Sequence, residues 1–366
     1  MNIIFTGGGT AGHINPAIGV AQALSENDKI LFVGRSGGSE NKLVEKEGFE
    51  LKTLDIHGLE RKLSIKNLRL PFEILKSSSD AKKIIDRFSP DIIFGTGGYA
   101  SLPTLLAGIS RKVPTVIHES NISPGLVTRL LQKRCDTVFI NLDGTRENLS
   151  KKARVKTVGI PLRRGFYTEC RDAARKTLGL SKNDFFILSF GGSGGSVRLN
   201  ESAVGLMKCY SSTKGRVKHI HAVGEKYYGT ALKENERLCR GICGCKIVPY
   251  IENMPTYLYA ADLVISRCGA ITLAELGAVG AASILVPSPN VTDDHQTKNA
   301  RYLENLNAAF MIEEKNLTER TLLDAVRKLE SNEEARINLG RNISSAFPDN
   351  SAKMIVKELE YLAKRA

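Results

Sequence analysis

The chain is 366 residues long with 42% hydrophobic and 25% charged residues, which fits a soluble globular protein of two domains and excludes a disordered or fibrous one. Its 52 Lys and Arg against 39 Asp and Glu give a formal charge of +13, so an anionic partner is expected: nucleic acid, an acidic membrane face or a phosphorylated substrate. No apolar run is long enough to span a bilayer, no secretory signal opens the chain, and seven cysteines argue for reduced thiols, so a cytoplasmic protein is expected.

The first apolar strand, Ile3-Ile4-Phe5, runs into a glycine turn, Thr6-Gly7-Gly8-Gly9-Thr10-Ala11-Gly12-His13. Strand-like runs follow at Ile30 to Val33, Asp91 to Phe94, Thr115 to Ile117 and Thr137 to Ile140. Helical patterns lie between them, at Ala17 to Leu24, Glu40 to Lys46 and Ala81 to Arg87. Short apolar strands alternating with helices predict a parallel, doubly wound α/β sheet. The fourth run ends in a second glycine turn, Gly95-Thr96-Gly97-Gly98-Tyr99.

From Arg61 to Arg87, eight basic residues face three acidic ones and are interleaved with Leu63, Ile65, Leu68, Leu70, Phe72, Ile74 and Leu75. That mixture suits the headgroup region of an anionic bilayer. It also suits a helix pair with apolar faces in the core and lysines in water.

Gly159 and Pro161 interrupt regular structure, and the alternation restarts beyond them. Helix is expected at Asp172 to Leu178, Asn200 to Met207, Ile271 to Val279, Gln296 to Leu306 and Ser351 to Lys364. Strands are expected at Phe185 to Phe190, His219 to Val223, Lys246 to Tyr250, Leu263 to Ser266 and Ser283 to Val286. A third glycine turn, Gly191-Gly192-Ser193-Gly194-Gly195-Ser196, follows the first of these strands. The expected division is an N-terminal acceptor- and membrane-binding domain over 1–160, a C-terminal donor domain over 161–345, and a last helix over 346–366 that packs back on the first.

A strand ending in glycines before a helix brings bare N–H groups to an anion with the helix dipole behind them. Gly7-x-Gly9-x-x-Gly12 also spells a dinucleotide fingerprint, but the second strand ends in Gly34-Arg35 rather than in an acidic residue for a ribose. Two glycine turns on one sheet edge fit a diphosphate. In the second half, Ser266-Arg267-Cys268-Gly269-Ala270-Ile271-Thr272 leads from strand to helix, with Glu275 a turn later as an acceptor for a sugar diol. Asp293, Asp294, Gln296 and Asn299 supply hydrogen-bonders for sugar hydroxyls. Cys239, Cys243 and Cys245 lie near His219 and His221 in sequence, but without paired C-x-x-C units they make a weak metal set.

These motifs together, with His118-Glu119-x-Asn121 and Gly159-x-Pro161-x-Arg163, closely resemble the MurG family of UDP-N-acetylglucosamine transferases from residue 2 to about residue 310. The resemblance implies a GT-B fold, two Rossmann-like parallel-sheet domains facing across a cleft. It implies transfer of GlcNAc from UDP-GlcNAc to lipid I, giving lipid II for peptidoglycan. Another lipid-directed GT-B transferase, a UDP-GlcNAc 2-epimerase-like enzyme and a binding module that has lost catalysis are the alternatives.

The donor contacts it implies are Thr10, Ala11, Gly12, Asn121 and Arg163, then Ser193, Ile251, Ala270, Ile271, Thr272, Leu273, Ala274, Glu275 and Gln296. Gly7, Gly8, Gly9, Gly12, Gly95, Thr96, Gly97, Gly98 and Tyr99 would cradle the acceptor diphosphate. The chain departs from the family at Cys268, commonly Ser, and at Gly194-Gly195-Ser196, commonly Gln-Gly-Ala.

An inverting displacement needs a base on the acceptor hydroxyl and stabilisation of the departing UDP. His13 is the candidate base, with a loop-orienting role as its alternative, and Glu119 and Asn121 compete for the function. The chain contains no Asp-x-Asp, so metal-independent transfer without a cofactor is expected. The expected partners are UDP-GlcNAc, lipid I and, through 61–87, an anionic membrane surface, with no nucleic acid. The expected location is the cytoplasmic face of the bacterial plasma membrane, held peripherally.

Overall fold

Side-chain alternation along short apolar strands decides the architecture. The computed structural model describes residues 1–8, 11–38, 41–56, 65–163, 165–192, 194–210, 216–229 and 244–365, with the backbone alone at Ala11 and 65–69. The chain forms two units, one of Met1–Leu162 with Pro348–Ala366, the other of Arg163–Phe347.

The first unit contains β1 (Asn2–Thr6), β2 (Lys29–Arg35), β3 (Glu50–Leu54), β4 (Ile92–Gly95), β5 (Thr115–Glu119), β6 (Thr137–Ile140) and β7 (Val155–Thr157). Among the described residues they make a seven-stranded sheet in the order β3-β2-β1-β4-β5-β6-β7. Every pairing is parallel, with Phe5 opposite Phe32 and Thr6 opposite Gly95.

Period-two alternation sends Ile4, Leu31, Ile93, Ile117 and Val138 to one face and Ile3, Phe5, Phe32, Phe94 and Phe139 to the other. The first face is covered by Ala81 and Ile85 of the Ile65–Phe88 helix, Leu105 of Leu102–Arg111 and Leu131 of Leu126–Leu131. The second is covered by Ile14 and Ala17 of Ala11–Ala21, Val44 of Asn41–Lys46, and Ile355 and Leu359 of Ser351–Ala363. Both faces are therefore dry, as an all-parallel sheet requires.

The second unit contains β8 (Phe185–Phe190), β9 (Val217–Ala222), β10 (Cys245–Val248), β11 (Leu263–Ser266), β12 (Ser283–Leu285) and β13 (Phe310–Met311). Its described strands are ordered β10-β9-β8-β11-β12-β13, again all parallel. Leu199 and Leu206 of the Val197–Cys209 helix and Leu322, Val326 and Leu329 of Glu319–Glu330 pack on one face.

The apolar strands stand where the sequence places them; the differences have local causes. β3 carries three polar residues in five, so its edge position gives it no apolar signature. The 61–87 stretch is no helix pair where described: one helix runs from Ile65 to Phe88 through Pro71. Helices Glu319–Glu330 and Glu333–Ser345 begin at Thr318 and Asn332, whose side chains accept the N–H groups of Thr321 and Ala335. These are N-cap signals that the sequence reading passed over.

Leu359 is fully buried in the core of the first unit. Leu359→Ala is expected to destabilise that unit by about 3 kcal/mol. Hydrogen exchange should accelerate at β1 and the Ala11–Ala21 helix while β8 and β11 keep their protection. A uniform loss across both units would contradict this assignment.

Candidate active site

In each sheet the winding direction reverses once, between β1 and β4 in the first unit and between β8 and β11 in the second. Loops leaving the strand ends at such a reversal run apart, and the crevice between them is where open parallel sheets bind ligands.

At the first reversal the glycine turns after β1 and β4 meet. The Thr96 amide donates to the Thr6 carbonyl at 2.9 Å, and the Thr6 hydroxyl to the Val33 carbonyl at 2.9 Å. Gly97 and Gly98 have φ of +90° and +77°. A Cβ at Gly97 would lie 3.2 Å from His13 Nδ1, and one at Gly98 would strike the Gly8 carbonyl oxygen. Only glycine satisfies both the backbone and the space there.

His13 sits between the two turns with Nδ1 3.0 Å from the Thr96 carbonyl oxygen. A carbonyl only accepts, so Nδ1 carries the proton and Nε2 keeps its lone pair. The loop-orienting bond and the function of a base are thus compatible: the first fixes the tautomer that the second needs. Gly7, Gly8, Gly12, Gly95 and Tyr99 are on the same two turns, while Gly9 and Thr10 fall outside the described residues, as does the Ala11 side chain.

Behind this edge, His118 is buried with Nε2 2.7 Å from the Gly159 carbonyl, to which it donates. Burial lowers its pKa to about 4, against that hydrogen bond and with a smaller contribution from nearby His13. Glu119 is engaged in its own loop. Its carboxylate accepts from the Asn121 amide at 3.1 Å, the Gly125 amide at 2.8 Å and the Thr128 hydroxyl at 2.8 Å. The Asn121 carbonyl in turn accepts from Thr145.

At the second reversal two helix N-termini converge. Val197–Cys209 follows the glycine turn after β8, and Ala270–Val279 follows the loop after β11. Gly269 caps the latter with no side chain, and a Cβ there would meet nothing within 4 Å. The first-turn amides of Ala270, Ile271 and Thr272 therefore have no capping oxygen from the N-cap side chain, an arrangement suited to an anion. Leu273 and Ala274 are buried, so their side chains belong to the core; Ile251 is buried as well. Ser193 falls outside the described residues.

Glu275 lies one turn into this helix and is 9% exposed. Burial pushes its carboxyl up to about 7, with Arg163 pulling the other way. The Gln296 carbonyl oxygen accepts from the amides of Cys268 at 3.2 Å and Ser288 at 2.9 Å, while Asn299 donates to the Cys268 carbonyl at 3.3 Å. Cys268 takes part here through its backbone. Its side chain is buried, which holds the thiol protonated.

His219 and His221 have a different employment from metal binding. Both lie 2.7 Å from the Ser189 hydroxyl, and His221 Nε2 is 3.1 Å from Asn200. Burial keeps both neutral. Among the described residues no group of three or more His, Cys, Asp or Glu could hold a metal; Cys239 and Cys243 lie outside them. Sequence reasoning passed over Arg267, whose guanidinium is buried at the second reversal. Its loop position carried no periodic signal.

Two doubly wound parallel-sheet units, each with glycine-led turns at its reversal, make the GT-B architecture of nucleotide-sugar transferases. The profile of the glycosyltransferase family 28 N-terminal domain matches residues 3–140 and that of the family 28 C-terminal domain residues 186–356. The chain belongs to glycosyltransferase family 28.

It is 36% identical over 367 residues, 100% of this chain and 99% of the other, to the UDP-N-acetylglucosamine--N-acetylmuramyl-(pentapeptide) pyrophosphoryl-undecaprenol N-acetylglucosamine transferase of Acetivibrio thermocellus. It is 39% identical over 336 residues, 90% of this chain and 91% of the other, to the protein of that name from Caldanaerobacter subterraneus. The crystal structure of MurG from Acinetobacter baumannii matches with a TM-score of 0.82 at 25% identity, covering 98% of this chain and 99% of that one. A UDP-GlcNAc 2-epimerase from Neisseria meningitidis shares the fold alone, at 12% identity and a TM-score of 0.67 over 99% of this chain and all of that one.

The raised Glu275 pKa has a definite sign. The folded state holds this proton more tightly than the unfolded chain, so the associated stability is complete below about pH 4.5 and is lost as pH rises through about 7. Glu275→Gln is expected to raise the unfolding temperature of the ligand-free protein at pH 8 and to leave it near native at pH 4. Equal shifts at both pH values would count against a buried, ionisable Glu275.

Proposed function

We propose that this chain is an inverting transferase that moves GlcNAc from UDP-GlcNAc to lipid I, undecaprenyl-diphospho-MurNAc-pentapeptide, forming lipid II. The observation that carries this reading is likeness over essentially the full chain, at 36%, to transferases bearing that name. The geometry supplies a chemistry for it.

The second unit is the donor half. The open amides of Ala270, Ile271 and Thr272 and the turn at 191–196 receive the diphosphate, and the helix dipole favours the charge that grows on departing UDP. Arg163 and Ser193 belong to the same donor half. Glu275 accepts from the ribose hydroxyls, its buried carboxyl gaining the donors it lacks. Gln296 has its carbonyl committed to backbone, which leaves the NH2 end for a sugar hydroxyl. The backbone at Ile251 takes the uracil.

The first unit is the acceptor half, with Gly7, Gly8, Gly95, Thr96, Gly97, Gly98 and Tyr99 around the acceptor diphosphate. Thr10, Ala11, Gly12 and Asn121 complete the donor contacts from this half. As the acceptor hydroxyl oxygen bonds to the anomeric carbon, the bond from that carbon to the diphosphate oxygen breaks. The hydroxyl proton passes to His13 Nε2. Glu119, tied to three donors in its own loop, braces the segment rather than serving as base.

A membrane surface supplies the lipid substrate. On the Ile65–Phe88 helix, Phe72 is 76% and Leu75 69% exposed, with Lys76 adjoining them in sequence. Exposed Leu126 and Leu130 lie in the Leu126–Leu131 segment with Arg129 between them. No described helix is long and apolar enough to cross a membrane. We assign these side chains to peripheral attachment at the cytoplasmic face of the bacterial plasma membrane. Arg61 and Lys62 fall outside the described residues, as do the side chains of Lys66 and Arg69.

Labelled GlcNAc should move from UDP-GlcNAc to a lipid I analogue, with activity retained after exhaustive chelation. His13→Ala should lower kcat by roughly 10²- to 10⁴-fold while UDP affinity stays near native. Donor alone should be neither epimerised nor consumed; epimerisation without acceptor would favour the 2-epimerase alternative.

Paired Phe72→Ser and Leu75→Ser changes should weaken sedimentation with vesicles of anionic phospholipid and leave UDP binding intact. Unchanged vesicle binding would remove that segment from the membrane contact.

A further inference from the structure

The guanidinium of Arg267 lies at the reversal between β8 and β11 and reaches the loops that follow three other strands. It stands on the loop after β11. Nη1 donates to the carbonyls of Val286 at 3.1 Å and Pro287 at 3.0 Å, both after β12. Nη2 donates to the Ser196 hydroxyl at the end of the turn after β8 and pairs with the carboxylate of Glu314, after β13. Arg267 is buried, and its ion pair with Glu314 is largely removed from water. A fork of fixed geometry under these conditions sets where its partners stand.

Ser196 is the residue through which this network reaches the glycine turn. It is the N-cap of the Val197–Cys209 helix, and its hydroxyl also accepts from the Leu199 amide at 3.4 Å. The turn doubles back on it, since a Cβ at Gly191 would lie 2.8 Å from the Ser196 nitrogen. Glu314 grips the same helix start a second way, its carbonyl accepting from Arg198 at 2.9 Å. Gly192 and Gly194 have nothing within 4 Å of a would-be Cβ, whereas Gly195, next to Ser196, is packed against the Val223 carbonyl and the Tyr227 ring and donates to the Gly192 carbonyl at 3.1 Å. The C-terminal end of the turn is thus held on two sides, by this packing and by the bond from Arg267 to Ser196. Ser196 is also one of the positions at which this chain departs from its family's common spelling, where Ala is usual.

We infer that Ser196, Arg267 and Glu314 form a positioning network that holds the end of the glycine turn, Gly194-Gly195-Ser196, where it can receive a nucleoside diphosphate. The inference rests on the reading of the second unit as the donor half. It makes Ser196 a positioning residue that acts on the ligand through the backbone of its own turn.

The test is calorimetric titration of UDP into the full-length protein, with steady-state kinetics and ligand-free unfolding temperatures, for Ser196→Ala, Ser196→Thr, Arg267→Lys and Glu314→Gln. Ser196→Ala is expected to raise the Kd for UDP about tenfold. The loss should fall on the donor KM rather than on kcat or the acceptor KM; removal of the helix N-cap lowers the ligand-free unfolding temperature modestly, and Ser196→Thr restores both. Ser196→Thr, which keeps the hydroxyl, should bind as the native chain does. Arg267→Lys and Glu314→Gln should weaken UDP in the same direction.

UDP binding by Ser196→Ala at native affinity would overturn the inference and leave the donor reading standing. So would a loss that tracks a lowered unfolding temperature and is not restored by threonine, since the network would then be structural alone. Failure of the native chain to bind UDP would remove the donor reading and this inference together.

Discussion

Everything at the two candidate sites follows from a single constraint on parallel sheets. Where strand order reverses, two neighbouring strands send their chains to opposite faces, and the backbone donors at the starts of the following helices have no partner from the sheet. The protein meets this constraint differently in its two units. At β1 and β4 the turns close on each other through Thr6, Thr96 and a histidine ring, leaving little room for any side chain. At β8 and β11 the amides stay open while a buried arginine braces the loops around them. One reversal is packed around a histidine ring, and the other leaves the start of the Ala270–Val279 helix without a side-chain cap.

The buried titratable groups divide along the same line. His118, His219 and His221 are packed as neutral rings with backbone or hydroxyl partners, so their burial serves the scaffold. Glu275 is buried with Arg163 as its electrostatic counterpart and a pKa near neutrality. A carboxyl left so short of donors is poorly stabilised on its own, and a ligand offering hydroxyl donors would stabilise its charged form.

Much of the fold could be read from the chain because both faces of each sheet are dry. Strands such as Phe185–Phe190 must then be apolar throughout, and nothing in the sequence imitates them. β3 escaped because an edge strand with Glu50, Lys52 and Thr53 carries no such pattern. The glycine turns, His13, Glu275 and Gln296 were legible as motifs, helped by the family resemblance.

Arg267, Ser196 and Glu314 were not legible as a unit. They lie 71 residues apart at one step, and only the strand order brings them together. The strand order likewise gives His219 and His221 a shared partner, Ser189 on the adjacent strand, that sequence spacing does not announce.

The Ser351–Ala363 helix belongs to the unit that begins at Met1, and its Ile355 and Leu359 fill the same core as Ile3 and Phe5. The first unit is therefore assembled from both ends of the chain. During synthesis its sheet leaves the ribosome early, yet the part of one apolar face that Ile355 and Leu359 cover waits while Arg163–Phe347 is made and folds. The half that begins folding first is the last to be finished. A nascent chain stopped short of the Ser351–Ala363 helix would present that part of the core to chaperones and proteases.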